Sequence, residues 1–173
     1  MIIRYATSAD SNLLAELGAQ TFYEAFAADN TPDDMNAYLA ESFSPEKQAA
    51  ELADSTSTFL IAENEGTAIG YARVAVGHIA SGVTGAWPLE IARLYARKDW
   101  IGQGVGARLM QACLDEAVRQ GCDTIWLDVW EKNARARAFY EKWGFSEVGE
   151  QVFQLGRDPQ HDLILQRPVR LQH

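Results

Sequence analysis

A glycine-rich turn near the middle of the chain has the composition of a phosphate-binding site. Gly102, Gly104 and Gly106 follow an apolar segment, 89–95, and open a segment of helical periodicity, 104–120. Glycine lets a backbone approach phosphate oxygens closely. The free N–H groups in the first turn of a helix, reinforced by the helix dipole, bind anions without a basic side chain. The sequence therefore predicts a pyrophosphate site at the start of this helix.

Two common phosphate-binding motifs fit this turn poorly. A Walker loop needs Lys and then Ser or Thr after its last glycine, whereas Gly106 is followed by Ala107 and Arg108. The dinucleotide fingerprint fits by spacing, with Gly102, Gly104 and Ala107 at its three small positions. In that motif, however, the turn directly follows its strand and usually opens the domain. Here several polar residues follow Tyr95 before the glycines, and a long mixed segment precedes the turn. An oxidoreductase that binds a dinucleotide therefore stays open as an alternative.

A third template extends beyond the turn. Segment 101–106 resembles the acyl-CoA signature of the GCN5-related N-acetyltransferases (GNAT), written Gln/Arg-x-x-Gly-x-Gly/Ala, and segment 90–95 resembles the strand that leads into it. Segments 130–133 and 138–145 are similar to the last helix of the family and the strand after it. The resemblance spans about half the chain in one order. Ile101 departs from the signature, since it stands where the family has Gln or Arg.

A finer pattern in the second half of the chain resembles one branch of this family. Segments 125–133 and 162–164 are similar to the PaiA-like spermidine/spermine N-acetyltransferases. The resemblance implies direct transfer of an acetyl group from acetyl-CoA to a primary amine, with a polyamine as the most specific acceptor. An enzyme that acetylates protein N-termini or another small amine is the alternative. A non-catalytic acyl-CoA-binding regulatory module is an alternative from a different class.

The resemblance also implies a fold. The GNAT fold is α/β, with a mixed, mostly antiparallel central sheet of about seven strands flanked by helices. The sheet is splayed between the strands that bracket the acyl-CoA. A single N-acetyltransferase domain over residues 1–173 is expected, because the chain has the size of one domain and contains no linker or repeat.

The same resemblance assigns residues to acetyl-CoA. The backbone of Leu94, Tyr95 and Ala96 is expected to hydrogen-bond the pantetheine arm as an added strand would. Asn133 is expected to hydrogen-bond the same arm. The residues expected to hold the phosphates are Ile101, Gly102, Gln103, Gly104, Val105, Gly106 and Ala107, with Arg97 or Lys98 at the rim.

Acetyl transfer from a thioester to an amine needs a neutral amine, a polarised carbonyl and a proton donor for the thiolate. We assign the base role to Glu90, acting directly or through water, and the acid role to Tyr140. Glu90 could instead be an ordinary surface carboxylate, and Tyr140 could belong to an aromatic core face with Phe139 and Trp143. No Ser or Cys lies in a nucleophile motif, so an acyl-enzyme intermediate is not expected.

Carboxylates and aromatic faces are the groups that would hold an ammonium-bearing acceptor. The candidates are Asp128, Glu131, Trp126 and Trp130, and Asp128 lies between the two tryptophans on one strand face. Tyr23, Phe26 and Tyr38 could form walls of the same site. For most of these carboxylate and aromatic candidates, a place in the core or on the surface is the simpler interpretation.

Composition limits the partners of the protein. A net charge of −9 argues against nucleic acid and suits a cationic acceptor, although acidity also serves solubility. No apolar run has the length of a membrane span, and residues 1–5 lack the apolar core of a signal peptide, so a cytoplasmic protein is expected. Exposed sheet edges would allow a homodimer.

Metal chemistry is not expected from this sequence. His78, His161 and His173 are scattered and have no partner at helical spacing. Cys113 and Cys122 are too few and too poorly spaced for a metal site, so we interpret both as reduced structural thiols.

Local patterns predict the elements that must position these residues. Thr7 or Ser8, Thr31-Pro32 and Ser44-Pro45 are start signals for three helices in the first third of the chain. Two further helices are predicted at 104–120 and from Asn133 to Gly144. The predicted strands are 2–5, 59–62, 69–76, 89–95, 124–130, 145–155 and 162–166.

Overall fold

Seven strands form one sheet in the computed structural model, which describes residues 1–170. The spatial order is β1-β2-β3-β4-β5-β7-β6, and all neighbours are antiparallel except β4 and β5. The strands are β1 Ile2–Tyr5, β2 Ser57–Asn64, β3 Thr67–Val76, β4 Pro88–Ala96, β5 Thr124–Trp130, β6 Ser146–Leu155 and β7 Asp158–Pro168. The predicted fold, a mixed and mostly antiparallel sheet of about seven strands, is confirmed.

Helices cover both faces of the sheet, and two of them start at the predicted capping hydroxyls, whereas Thr7 caps a 3-10 turn that precedes the first helix. The hydroxyl of Thr31 accepts a hydrogen bond from the Asp34 N–H at 3.2 Å, and that of Ser44 accepts one from the Lys47 N–H at 3.1 Å. The helices are α1 Ser11–Phe26, α2 Pro32–Ser42, α3 Pro45–Ala53, α4 Val105–Arg119 and α5 Ala134–Lys142. Short 3-10 turns lie before α1 at Ser8–Asp10, between α1 and α2 at Ala27–Asp29, and between β4 and α4 at Lys98–Trp100.

The alternating strand pattern divides the apolar residues between the two sheet faces. On β5, Ile125, Leu127 and Val129 pack in one cluster with the buried face of α4. Trp126 points to the opposite face, where it packs with Ile164. The helices α1, α2 and α3 cover that face beside β2, β3 and the far part of β4.

Several strands are longer than predicted; β2, for example, extends two residues beyond 59–62 at each end, and the last strand starts earlier. The pattern predicted 162–166, whereas β7 starts at Asp158 and pairs with β6 down to Leu155 opposite Asp158. The first residues of β7 are polar and include Pro159, so they lack the apolar alternation that identifies a strand. Pairing within the β6–β7 hairpin, rather than local propensity, makes them a strand.

Within residues 1–170, no helix is long and apolar enough to cross a bilayer. The same residues contain no group of three or more His, Cys, Asp or Glu side chains arranged to hold a metal ion. His173 lies outside the described residues.

Candidate active site

The parallel pair β4–β5 is joined at one end only. Paired positions run from Pro88 and Thr124 to Glu90 and Trp126, and the two strands part beyond them. β4 continues along β3 to Ala96, and β5 continues along β7 to Trp130. The expected splay is therefore present, and it opens a cavity of about 180 Å³ between the strands.

A β-bulge lies at the same place. The register of β3 and β4 passes from Arg73 opposite Arg93 to Val74 opposite Ile91, so Ala92 is left out of the ladder. A bulge bends its strand and changes the direction of the following side chains. Here the bend coincides with the point where β4 leaves β5, and Ala92 lines the cavity.

The far part of β4 has one edge in the sheet and one edge on the cavity. Leu94, Tyr95 and Ala96 pair with β3, while none of them pairs with β5. Alternate N–H and C=O groups of a strand point to each side, so the edge toward β5 is available for an added strand. Gly70 on β3 permits the close approach of the two strands here, since a Cβ at this position would lie 2.8 Å from the carbonyl oxygen of Tyr95.

The glycine turn joins β4 to α4 next to this edge. Gly102 and Gly104 have φ values of 82° and 88°, a conformation that favours glycine, whereas Gly106 does not have a positive φ. The N–H groups of Val105 and Ala107 belong to the first turn of α4, where no helical carbonyl precedes them. Together with Gly106 they form the predicted anion site.

Two predicted phosphate ligands are placed less favourably. The N–H of Gln103 already donates to the carbonyl of Trp100 at 3.3 Å, in the turn that follows the 3-10 segment. The side chain of Ile101 is 41% exposed and apolar, and its N–H already donates to the carbonyl of Lys98 at 3.2 Å.

Tyr140 lies in the cavity wall with 8% of its surface exposed. Its ring packs against Phe139 at 5.3 Å and Phe145 at 5.7 Å, measured between centroids. Burial raises the pKa of its hydroxyl, so the group stays protonated at neutral pH and can donate. Tyr140 is thus both a core residue and a cavity residue.

Asn133 also lines the cavity, but half of its amide is already used. Its Oδ1 accepts a hydrogen bond from the Ala136 N–H at 3.2 Å and caps the N-terminus of α5. The amide nitrogen remains as the donor that could reach a ligand. The side chain therefore has a structural role that the sequence analysis did not assign.

Glu90 lies at the base of the splay and does not line the cavity formed by residues 1–170. Its side chain is half-buried, and burial raises its pKa. The charges of His78 and Arg73 act in the opposite direction, while that of Asp128 raises the pKa further. A raised pKa suits a base that must release its proton again near neutral pH.

The predicted acceptor residues separate into two groups. Asp128 and Trp130 line the cavity, as do Phe26 and Tyr38. Glu131, by contrast, is exposed at the end of β5 and contributes nothing to the cavity wall built by residues 1–170. Tyr23 is 54% exposed and likewise lies away from the described wall.

Asp162 is a cavity residue that the sequence analysis missed. It lies on β7 opposite Trp130, two residues before Ile164, which pairs with Asp128. Only 5% of its surface is exposed, and its position on β7 is diagonal to that of Asp128 on β5. Burial and the neighbouring Asp128 raise its pKa to about 8. The only sequence signal was a charged residue in an otherwise apolar strand, 162–165, and cross-strand register was needed to interpret it.

Aromatic side chains form the rest of the acceptor side. The ring of Phe26 lies 6.3 Å from that of Tyr95 and 6.4 Å from that of Trp130, and Tyr38 stacks on Phe22 at 4.4 Å. All five residues line the cavity. The sequence analysis assigned Tyr95 only a backbone role, whereas its side chain is part of this wall.

A buried ion-pair network supports the wall from behind. The carboxylate of Glu51 on α3 forms salt bridges with Arg93 at 2.9 Å and with Arg73 at 3.0 Å. The side-chain oxygen of Gln48 accepts a hydrogen bond from Arg93 at 3.3 Å. The guanidinium of Arg93 also lies 5.2 Å from the ring centre of Phe43. Arg93 reaches the cavity, but its charge is already compensated by Glu51.

Comparison with known proteins gives one family. Residues 19–145 match the sequence model of the Acetyltransferase (GNAT) family. An uncharacterized N-acetyltransferase of Lactobacillus delbrueckii subsp. lactis is 31% identical over 153 residues, which cover 88% of this chain and 88% of that protein. Over 50 residues, 29% of this chain and 34% of the other, the ribosomal protein bS18-alanine N-acetyltransferase of Escherichia coli (strain K12) is 42% identical.

Solved structures give the same fold. The crystal structure of the PaiA N-acetyltransferase from Thermoplasma acidophilum in complex with coenzyme A superimposes with a TM-score of 0.77. The two chains are 21% identical, and the match covers 96% of this chain and 98% of that one. At this identity the likeness establishes the architecture and not the acceptor.

Proposed function

The chain belongs to the GNAT family of acetyltransferases, and on that premise we propose that it transfers an acetyl group from acetyl-CoA to a primary amine by direct attack. The observation that carries the proposal is the parting of β4 and β5 after Glu90 and Trp126. It opens a cavity with Tyr140 in its wall, along the unpaired edge of β4 that leads to the glycine-rich turn.

Three features of the described residues fit acetyl-CoA. The β4 edge at Leu94, Tyr95 and Ala96 can hydrogen-bond the amides of the pantetheine arm. The N-terminus of α4 can hold the pyrophosphate, and the cavity has room for the acetyl end. When bound, acetyl-CoA supplies a thioester carbonyl for the amine to attack and a thiolate that leaves.

The side chains then have separate tasks. Tyr140, protonated because it is buried, donates its proton to the departing sulfur as the C–S bond breaks. Glu90 takes the proton that the amine loses as the N–C bond forms. It acts through water, because its side chain lies below the cavity. The buried indole N–H of Trp126, which has no hydrogen-bond partner in residues 1–170, can hold that water beside Glu90.

We propose a polyamine such as spermidine or spermine as the acceptor, supported by the net charge of −9 and by the aromatic wall with Asp128 and Trp130. A protein N-terminus is the second candidate, favoured by the 50-residue segment shared with the bS18-alanine acetyltransferase. Glu131, on the surface, stays a proposed contact for the far end of a long amine. A single domain over 1–173, a cytoplasmic location and a homodimer remain predictions.

The test is release of coenzyme A by the purified protein with acetyl-CoA and, separately, spermidine, spermine and a peptide with N-terminal alanine. Tyr140→Phe serves as the control. Polyamine turnover that falls sharply in the variant supports the proposal. Turnover with the peptide alone selects the second candidate. Tight acetyl-CoA binding without turnover would favour the regulatory module, and a rise in melting temperature with NAD alone would favour the oxidoreductase.

A further inference from the structure

We propose that Asp128 and Asp162 form one subsite that binds a single ammonium group of the acceptor against the aromatic wall of the cavity. This inference rests on the proposed function and deepens it, since it names the side chains that take the charge of the acceptor. It adds Asp162, to which neither the family resemblance nor the sequence analysis gave a role.

The first step is the geometry of the pair. Asp128 pairs with Ile164 and Trp130 pairs with Asp162, so the two aspartates are diagonal neighbours on the same face of β5 and β7. Both side chains line the same cavity, so the two carboxyl groups face one space. Oδ1 of Asp162 is buried and has no hydrogen-bond partner among residues 1–170. A ligand with N–H donors in the cavity would supply that partner.

The second step is the charge of the pair. Two neighbouring carboxyl groups in a largely buried position favour the state in which one of them is protonated, because two adjacent carboxylates repel each other. The raised pKa of Asp162 agrees with this assignment. The pair therefore carries one negative charge in a largely buried position. A buried charge is unfavourable without a counter-ion, so the pair favours a monocationic group.

The third step is that, within residues 1–170, no side chain lining the cavity is placed as a buried counter-ion to this charge. On β4, Arg93 is already engaged by Glu51 of α3, and Glu90 adds negative charge from below. The arginine of α5, Arg135, is exposed at the rim, and α1 and β6 contribute only apolar lining residues. The remaining titratable groups of the described wall are tyrosines with raised pKa values, which stay neutral: Tyr38, Tyr95 and Tyr140.

The fourth step is the aromatic wall. Phe26, Tyr95 and Trp130 surround the same cavity, and aromatic faces attract ammonium groups while accepting an alkyl chain. Negative charge and aromatic faces together select an alkylammonium ion. They disfavour an amine that has a carboxylate close to its nitrogen. With one charge in the pair, a long amine would place one ammonium group here and its other charges outside.

The test measures the binding of a simple amine under conditions in which no acetyl group can be transferred to it. The protein is titrated calorimetrically with butylammonium chloride, both alone and saturated with coenzyme A, which has no acetyl group to transfer. Butanol is the neutral control of similar shape. The proposal predicts saturable binding of butylammonium and at least about 30-fold weaker binding of butanol. Equal binding of the two ligands would overturn it.

The variants separate charge from shape. Asp162→Asn puts a neutral group of the same shape beside Asp128 and leaves the pair with one negative charge, so butylammonium binding should stay within about 3-fold of wild type. The double variant Asp128→Asn with Asp162→Asn has no charge and should bind at least about 30-fold more weakly. Binding by the double variant within 3-fold of wild type would contradict the proposal. Far-ultraviolet circular dichroism verifies the fold of each variant.

This experiment is independent of the proposed activity. Butylammonium binding by a protein that binds no coenzyme A would support the subsite and contradict the acetyltransferase proposal. Polyamine turnover that is unchanged in the double variant would support the acetyltransferase and overturn the subsite. If the double variant does not fold, the comparison of butylammonium with butanol on the wild-type protein still gives the answer.

Discussion

Glu90 and Trp126 form the last paired position between β4 and β5, and the strands diverge immediately beyond them. The half-buried carboxylate of Glu90 therefore lies where the sheet opens, with the buried indole of Trp126 beside it on the neighbouring strand. This position places a candidate base within reach of the cavity without making it part of the wall.

Glu90→Gln should lower kcat/KM by about 10²-fold or more, because the variant can no longer accept a proton from the amine. The acidic limb of the pH–rate profile should disappear with it. Steady-state kinetics between pH 5 and 10 are the measurement. Glu147→Gln, an exposed carboxylate on β6, is the matched control. A loss below 3-fold, with the acidic limb retained, would remove Glu90 from the mechanism.

Tyr140→Phe should lower kcat by about 10²–10⁴-fold and leave the KM for acetyl-CoA nearly unchanged, since the hydroxyl acts on the departing sulfur. The ring that packs against Phe139 and Phe145 is retained, so the melting temperature should change little. Kinetics and thermal unfolding of the same preparation measure both effects. Tyr23→Phe removes a hydroxyl from an exposed tyrosine and should have no effect. A rise in KM alone would indicate a binding role instead.

Gly104→Ala should destabilise the fold by about 1–2 kcal/mol, because alanine is strained at the φ of 88° that starts α4. It should also raise the KM for acetyl-CoA, since the anion site depends on this turn. Gly106→Ala is the matched control for stability, because φ is ordinary there and the added Cβ would meet Phe139 at 3.5 Å, a normal contact. Urea unfolding of both variants is the measurement. Equal losses of stability would show that the turn geometry is not the cause.

Asn133→Ala and Asn133→Ser should separate the two roles of the Asn133 amide. Alanine removes the cap on the Ala136 N–H and should cost about 1 kcal/mol, whereas serine can still cap the helix. Both variants lose the amide N–H donor, so both should raise the KM for acetyl-CoA. Unfolding curves and acetyl-CoA kinetics distinguish these effects. An unchanged KM in the serine variant would restrict Asn133 to capping.

The stability of the wild-type protein should include a decrease with pH that comes from Asp162. Its pKa is raised from 3.8 to about 8, so the folded state keeps a proton that the unfolded chain has lost between these values. The free energy of unfolding therefore falls as pH rises from about 4 to about 8.

Asp162→Asn should remove this component, so that the variant loses less stability than wild type over the same pH range. Urea unfolding at intervals from pH 4 to 9 is the measurement. The exposed Asp99→Asn is the control. Identical pH slopes in wild type and Asp162→Asn would show that Asp162 does not hold its proton in the folded protein.

Much of the architecture could be predicted because its signals are local. The Thr31-Pro32 and Ser44-Pro45 pairs start helices through contacts within a few residues, and β5 was predicted with the bounds Thr124–Trp130. The glycine turn was found in the same way, since the positive φ of Gly102 and Gly104 is a property of the local backbone. In contrast, local patterns could not show that the Gln103 N–H is already used or that Tyr23 points to solvent while Phe26 faces the cavity.

The sequence alone therefore determined the order of elements, the glycine-rich turn before α4 and the candidates Glu90, Asp128 and Tyr140. Only the tertiary structure determined how those residues combine. The diagonal contact of Asp128 with Asp162 depends on the register of β5 against β7, and the cavity depends on the loss of pairing between β4 and β5. Register and splay result from packing between segments far apart in the chain, and no local residue pattern encodes them.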